Sequence, residues 1–357
     1  MTGQIGEAVR STLDHQSQAG ADWAWDESAG RSATQQLAAG GWLGVGLDGD
    51  LDGEGGDLAD AVAVVDAVSS GGWPSPVADL VLVTNGVKSL AGIAADDAGL
   101  TVVVPDIGWI DDDGRVNVDA DWVPWATWAS QLIVIIADRN GDAGIAVIDA
   151  DCAQRAPRRS LNGAPWASVI VSGAPATTLI PLRRPAEEVA EEILVCGALA
   201  RSVQISSALA RVQELTVEHI ATRKQFGRPL SAFQAVQQSV AALAGAVTAA
   251  QAAVADATRG VSHAAQLRTD PRLATAKIQT AKAATEVAAV AHQLHGALGT
   301  AREHELHRHT LSLWTWREEF GAEHYWASRL ASDALAAPDL WAWLTEDGAG
   351  VEVARVP

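Results

Sequence analysis

Cysteine is nearly absent from this 357-residue chain, which has only Cys152 and Cys196. Two thiols that far apart match no metal or dithiol motif. A disulfide framework, a zinc finger and a thioredoxin-type centre are thereby excluded, and both cysteines read as free thiols of a reducing compartment. Positive charge is scarce as well. Lys and Arg number 25 against 44 Asp and Glu, a formal net charge of −19. The first 150 residues hold 24 of those acids and only 5 of the bases. No basic stripe exists to neutralise phosphates, which argues against nucleic acid, and an acidic face is repelled by anionic lipid. A long hydrophobic run is missing too. The stretch Val240 to Ala255 is mostly alanine interrupted by Thr248 and Gln251, whereas a membrane span needs ~20 strongly apolar residues. Met1 to Glu7 has neither a basic nor an apolar signal region, so the expected location is the cytoplasm. There is no P-loop, no G-x-G-x-x-G after a strand and no G-x-S-x-G elbow.

What is present is a globular composition, 48% hydrophobic and 19% charged, patterned in zones. Up to about Leu90 the chain reads as short helices, among them Ser32 to Leu37 and Leu58 to Val68, separated by breaks at Gly40-Gly41, Gly53 to Gly56 and Gly71 to Pro76. From Gly92 to Pro181 it changes to short β-branched runs: Thr101 to Val104, Leu132 to Ile136, Ile145 to Ile148 and Ser168 to Val171. Asp112-Asp113-Gly114 and Asn140-Gly141-Asp142 separate such runs as hairpin turns do. From Pro185 onward four long helices are expected, running to about Gly227, from Ser231 to Arg259, from Pro271 to Leu298, and from His304 to Ala336. The expected fold is therefore α+β and multidomain. It comprises an N-terminal helical domain (1–91), a middle antiparallel β domain (92–184), a C-terminal four-helix bundle (185–337) and an extension (338–357) docked by Trp341 and Trp343.

Several groupings look chemical without being so. Asp48-x-Asp50-x-Asp52-Gly53 begins like an EF-hand loop, but its twelfth position is Ala59 where a bidentate Glu is required, so it reads as an acidic surface loop. His304-Glu305-x-His307 is one residue short of the zinc helix spacing, and hydrogen-bonded histidines are the simpler reading. No metal is expected. Fourteen Trp stand beside three Phe and one Tyr; Trp122, Trp125 and Trp128 recur every third residue and read as packing.

Two segments of the helical zone carry more. One is Arg223-Lys-Gln-Phe-Gly-Arg-Pro-Leu230 with Phe233, Gln234 and Gln237. The other is Gln293-Leu-His-Gly296-Ala-Leu-Gly299. An Arg can hold a phosphate bidentately, and glycines let backbone approach a ligand closely. In this order within a bundle they resemble the acyl-CoA dehydrogenase family, and the likeness covers nearly the whole chain. It implies FAD shared across a subunit interface, with Arg223, Gln225, Phe226, Gln234, Gln293, Gly296 and Gly299 on the pyrophosphate and adenosine side. Ala297 departs from the family's usual second glycine there.

The remaining family features are not matched. In place of the Thr-Glu-x-x-x-Gly-Ser loop stands Val104-Pro-Asp-Ile-Gly108. In place of the flavin-serving Ile-Thr-Asn-Gly strand stands Val123-Pro-Trp-Ala126, where Pro124 has neither hydroxyl nor amide hydrogen. The two positions at which family members carry their catalytic Glu are Phe320 and Gly197 here. Glu319 or the adjacent Glu318 is the remaining candidate base. Leu313 to Gly321 further resembles the non-catalytic partner subunits of heteromeric (α2β2) actinobacterial acyl-CoA dehydrogenases acting on steroid-derived thioesters. The resemblance implies a homologous catalytic partner subunit, an acyl-CoA substrate and an electron-transfer flavoprotein as acceptor. Two alternatives stay open: an active homo-oligomeric dehydrogenase using Glu319 or Glu318, and a flavin-free scaffold paralogue.

Overall fold

A computed structural model describes residues 2–14, 27–71, 75–94, 100–340 and 343 of the chain. Helices come first. They are α1 (Thr2–Asp14), α2 (Glu27–Ala39), α3 (Leu58–Ser70) and α4 (Asn85–Ala91). The start of α3 is fixed by a reciprocal capping box, Asp57 accepting from the Asp60 amide (3.0 Å) and Asp60 from the Asp57 amide (3.2 Å). Immediately before α4, Asp79–Thr84 winds as a π-helix, all six residues buried.

A seven-stranded sheet follows: β1 (Thr101–Ile110), β2 (Val116–Pro124), β3 (Gln131–Ala137), β4 (Asp142–Asp149), β5 (Ala153–Arg159), β6 (Pro165–Ala174) and β7 (Thr178–Pro185), in the order β5-β6-β2-β1-β3-β4-β7. The two expected turns join β1 to β2 and β3 to β4. In each, an aspartate at the turn's entry gathers two amides: Asp111 Oδ1 accepts from Asp113 (3.1 Å) and Arg115 (2.9 Å), and Asp138 Oδ1 from Asn140 (2.7 Å) and Asp142 (2.9 Å). Period-two alternation splits the strands between two cores. Val103, Ile133 and Ile135 face the helices, while Val102, Val104, Leu132 and Val134 face a second cluster with Val118 and Val169. One pairing corrects the all-antiparallel expectation, because β1 and β3 run parallel from Thr101↔Gln131 to Trp109↔Ala137. The turn at 125–130 carries the chain back to the start of β1, where the Ser130 amide donates to Leu100 O (2.9 Å). β3 is thereby launched in the same direction as β1.

The C-terminal helices are α5 (Ala186–Thr222), α6 (Gln234–Thr258), α7 (Pro271–His295), α8 (Leu306–Trp316) and α9 (Glu323–Ala336). α5 is unbroken for 37 residues through Gly197, and α7 opens on Pro271 with Asp270 accepting from the Arg272 amide (2.9 Å). The single helix expected from His304 to Ala336 is instead two, interrupted at 317–322. There Phe320 and Gly321 take left-handed φ values of 51° and 87°, and Trp326 Nε1 donates to Phe320 O (2.9 Å). By length and composition α5 and α6 are each apolar enough to cross a membrane, but 83% of the relevant window of α5 is buried inside the protein against 28% for α6. α6 therefore presents a broad face of Ala241, Ala242, Gly245, Ala249 and Ala252 outward. The expected docking of the extension by Trp341 falls outside the described residues, and the Trp343 amide donates to Asp339 O (3.0 Å).

Candidate functional site

The sheet, the π-helical turn, α5 and the α8–α9 break converge on one cleft, and it is filled. Between Thr84, Val103, Pro105, Pro124, Trp125, Ile193 and Phe320 a cavity of only about 20 Å³ remains. Small-molecule sites typically enclose roughly 300–1,000 Å³. Two bulky residues with left-handed backbone do the filling, Trp125 (φ 61°) and Phe320 (φ 51°). Such a conformation is costly for a large side chain and persists only where the surroundings impose it. The two positions singled out by the missing base meet here. The Phe320 ring lies against Gly197 so closely that a Cβ at 197 would fall within it.

Behind the ring sits a buried charge cluster that holds it. Arg201, 2% exposed, donates to both Asp79 oxygens (2.8 and 3.2 Å), to Gln204 (2.8 Å) and through Nε to Glu319. Its guanidinium also lies over the Phe320 ring at 5.1 Å. Asp79 takes a further bond from Trp125 Nε1 (3.0 Å), so the π-helical turn anchors the second filler as well. Lys277, fully buried, caps the end of α8 by donating to the carbonyls of Trp316 (3.1 Å) and Arg317 (3.0 Å). Burial pushes its ammonium down to about 7 and holds the Glu319 carboxyl above the ordinary range, against the pull of Arg201. Glu319 is thus engaged in an ion pair beneath the cleft. Glu318 is exposed and pairs with Arg317 (2.7 Å).

Sequence reasoning does not single out Asp79, Arg201 or Lys277, and it reads Trp125 only as packing. A usable signal existed for Arg201, a lone cation within the apolar stretch Val195 to Leu209 of a core helix.

The second group of expected residues lies at the opposite end of the bundle and is open. Arg223 terminates α5, and a short hairpin follows, β8 (Lys224–Gln225) and β9 (Arg228–Pro229), closed by the Leu230 amide on Arg223 O (2.8 Å). At its tip Phe226 (φ 50°) and Gly227 (φ 81°) make the turn, leaving Phe226 92% exposed. Arg228 lies over the Phe233 ring at 4.0 Å. Gln225, Gln234, Gln293 and Gly296 are exposed, whereas Gly299 is buried. A Cβ at Gly299 would lie 2.9 Å from Leu306 Cδ2 and 3.0 Å from His295 Cβ, so the glycine is imposed by packing. The hairpin and the 293–299 loop are joined by stacking of His219, on α5, with His295, on α7, at 4.3 Å.

The remaining groupings are structural. Asp48 to Gly53 forms a 3₁₀ turn at the surface. Glu305 pairs with Arg211 (2.6 Å) and is lowered to about 2, chiefly by its contact with His309. Among the described residues no cluster of His, Cys, Asp or Glu could hold a metal ion. Trp122 is half exposed, stacked with Arg158 (5.1 Å) and edge-on to Trp166 (5.6 Å). Cys196 is buried, its thiol pushed up to about 12 by desolvation, and Cys152 is exposed.

Comparison with known proteins adds the following. A family model described as Acyl-CoA dehydrogenase, C-terminal domain, matches residues 188–331. Acyl-CoA dehydrogenase IpdE2 of Mycobacterium tuberculosis is 30% identical over 295 residues, covering 80% of each chain. Among solved structures, the ChsE4–ChsE5 complex from Mycobacterium tuberculosis superposes with a TM-score of 0.80 at 20% identity, covering 95% of this chain and 98% of that one. The steroid ACAD Tcur3481–Tcur3483 gives 0.77 at 19%, covering 94% and 97%. At such identities the structural likeness speaks for the fold.

Proposed function

The chain belongs to the acyl-CoA dehydrogenase family, and from that premise we propose that it is the non-catalytic subunit of a heteromeric, FAD-dependent enzyme of that family. It completes the nucleotide half of a flavin site whose reactive half lies in a homologous catalytic partner. The observation that carries this reading is the filled cleft. A flavin ring and an acyl chain have no room in that cleft of about 20 Å³. The roomier cavity of about 410 Å³ between α3, α4, α5 and residues 262–266 is lined by neither Pro124 nor Phe320. Pro124 offers no donor, and the two base positions are a phenyl ring against a glycine. The residues present do not fit the isoalloxazine.

The nucleotide end does fit one side of a dinucleotide. Arg223 supplies a cation for a phosphate, Phe226 an exposed ring, and Gly296 a backbone without Cβ at φ 59°. Gln225, Gln234 and Gln293 add amides at the same exposed end. The chemistry FAD supplies when bound is acceptance of the β-hydride of an acyl thioester while a carboxylate takes the α-proton. In this division of labour the present chain binds and orients, and the proton is moved by the partner. The outward alanine and glycine face of α6 suits close approach by another subunit's helix. The steroid ACAD among the structural neighbours favours a steroid-derived acyl-CoA as the substrate class.

Co-expression with the homologous subunit tests the reading through the visible absorbance of bound flavin. Expected are little flavin on this chain alone, about one FAD per heterodimer, loss of flavin in Arg223→Ala and unchanged turnover in Glu319→Gln. Stoichiometric FAD on the isolated chain, or loss of turnover with flavin retained in the Glu319 variant, would restore the active homo-oligomer. A heteromer without flavin would leave the scaffold.

A further inference from the structure

The hairpin 223–229 and the loop 293–299 come from different helices, and one feature fixes them to each other. At the end of α5 the His219 ring stacks on His295 of α7, centroids 4.3 Å apart and planes 23° from parallel. His304, from the 301–305 connection, meets His295 edge-on at 5.0 Å. His295 is 5% exposed. Its Nδ1 bonds to Ala291 O (2.8 Å), leaving Nε2 buried without a partner. Gly299 packs beside His295 and its helix neighbour His292, since a Cβ there would stand 3.0 Å from His295 Cβ and 3.2 Å from His292 Nδ1.

Building on the shared-site reading above, we propose that His219 and His295 are positioning residues of the nucleotide site, an uncharged stacked joint that sets the hairpin and the loop at one spacing. Accepting protons makes the joint repulsive and lets the two segments separate. Two like charges at stacking distance oppose one another, the more so on the buried His295 side of the pair. The groups facing the joint are Glu218 and Arg223 from α5, His292 from α7, His304, Glu303 and Glu305 from the connection, and His307 from α8. Glu305 is committed to Arg211 (2.6 Å). Desolvation first, and the neighbouring histidines next, hold His295 below its ordinary value; His219 and His304 are lowered by the same leading cause. The neutral joint is therefore the state at and above neutral pH.

The experiment uses the co-expressed complex and follows FAD affinity by the fluorescence of released flavin at pH 8.0 and 5.5. Expected for the native complex is a weakening on the order of tenfold at pH 5.5, the equivalent of about one pKa unit on one coupled group. His219→Phe keeps a ring without a titrating charge and should bring that ratio close to one. His219→Arg keeps a planar stack with a permanent charge and should bind weakly at both pH values. A native ratio retained in His219→Phe would overturn the joint. If the native complex holds no FAD at pH 8.0, the shared-site reading fails, and unfolding of this chain alone still decides the joint. Its midpoint should fall between pH 7 and 5.5 more in the native chain than in His219→Phe, and identical profiles would refute it.

Discussion

Removing the guanidinium of Arg201 is the sharpest test of what closes the cleft. Methionine at 201 keeps much of the apolar stem and deletes the charge that Asp79 and Glu319 share. Breaking a buried ion pair from one side costs about 3–5 kcal/mol, because a charge is left unpaired. Here one cation serves two carboxylates on an arginine that is 2% exposed, which places Arg201→Met in the upper part of that range at neutral pH. The sign of the pH dependence follows from Glu319. Its carboxyl already lies above the ordinary value with Arg201 in place, burial being the cause, and losing the cation raises it further. A carboxyl raised in the folded state gives stability that is complete below its unfolded value, near ~4.3, and is lost as pH rises through the folded value. Arg201→Met should therefore regain stability as pH falls from 7.5 toward 5, with a limiting slope of about 1.4 kcal/mol per pH unit for one carboxyl. Urea unfolding followed by tryptophan fluorescence at three pH values measures this. A loss below about 1 kcal/mol, or one that does not change with pH, would refute the reasoning.

Gly197→Glu places a carboxylate at one of the family's base positions and should yield poorly folded protein, because the Phe320 ring occupies the space. Combining it with Phe320→Ala should recover soluble protein, read by circular dichroism, without dehydrogenase activity. Gly299→Ala, with contacts of 2.9 and 3.0 Å to Leu306 and His295, should cost about 1–3 kcal/mol in an unfolding titration.

Much of the architecture is legible in local chemistry, and the misses have physical causes. Asp112-Asp113-Gly114 and Asn140-Gly141 specify their turns through amides and left-handed glycines within five residues, so they need no tertiary context. The parallel pairing of β1 with β3 depends on where the 125–130 turn delivers the chain, which no window of sequence encodes. The break between α8 and α9 hides in Leu313 to Gly321, where every residue before Gly321 is compatible with a helix. Phe320 is turned left-handed by distant partners, Arg201 beneath its ring and Trp326 on its carbonyl. Arg223, Gln225 and Phe226 fall in one short stretch and Gln293, Gly296 and Gly299 in another, so each stretch is readable by itself, whereas their joining through His219 and His295 is not. The cluster of Asp79, Arg201, Lys277 and Glu319 draws on four separated segments and becomes visible only when they fold together.

The closing of the cleft also has a genetic consequence. Restoring an acyl-sized space would need Phe320 gone, Trp125 replaced and a carboxylate installed. The intermediate steps carry their own penalty: a void where the phenyl ring was, an Asp79 stripped of its indole donor, or a Glu side chain driven into Phe320. Single substitutions thus lead downhill in stability before any reach chemistry.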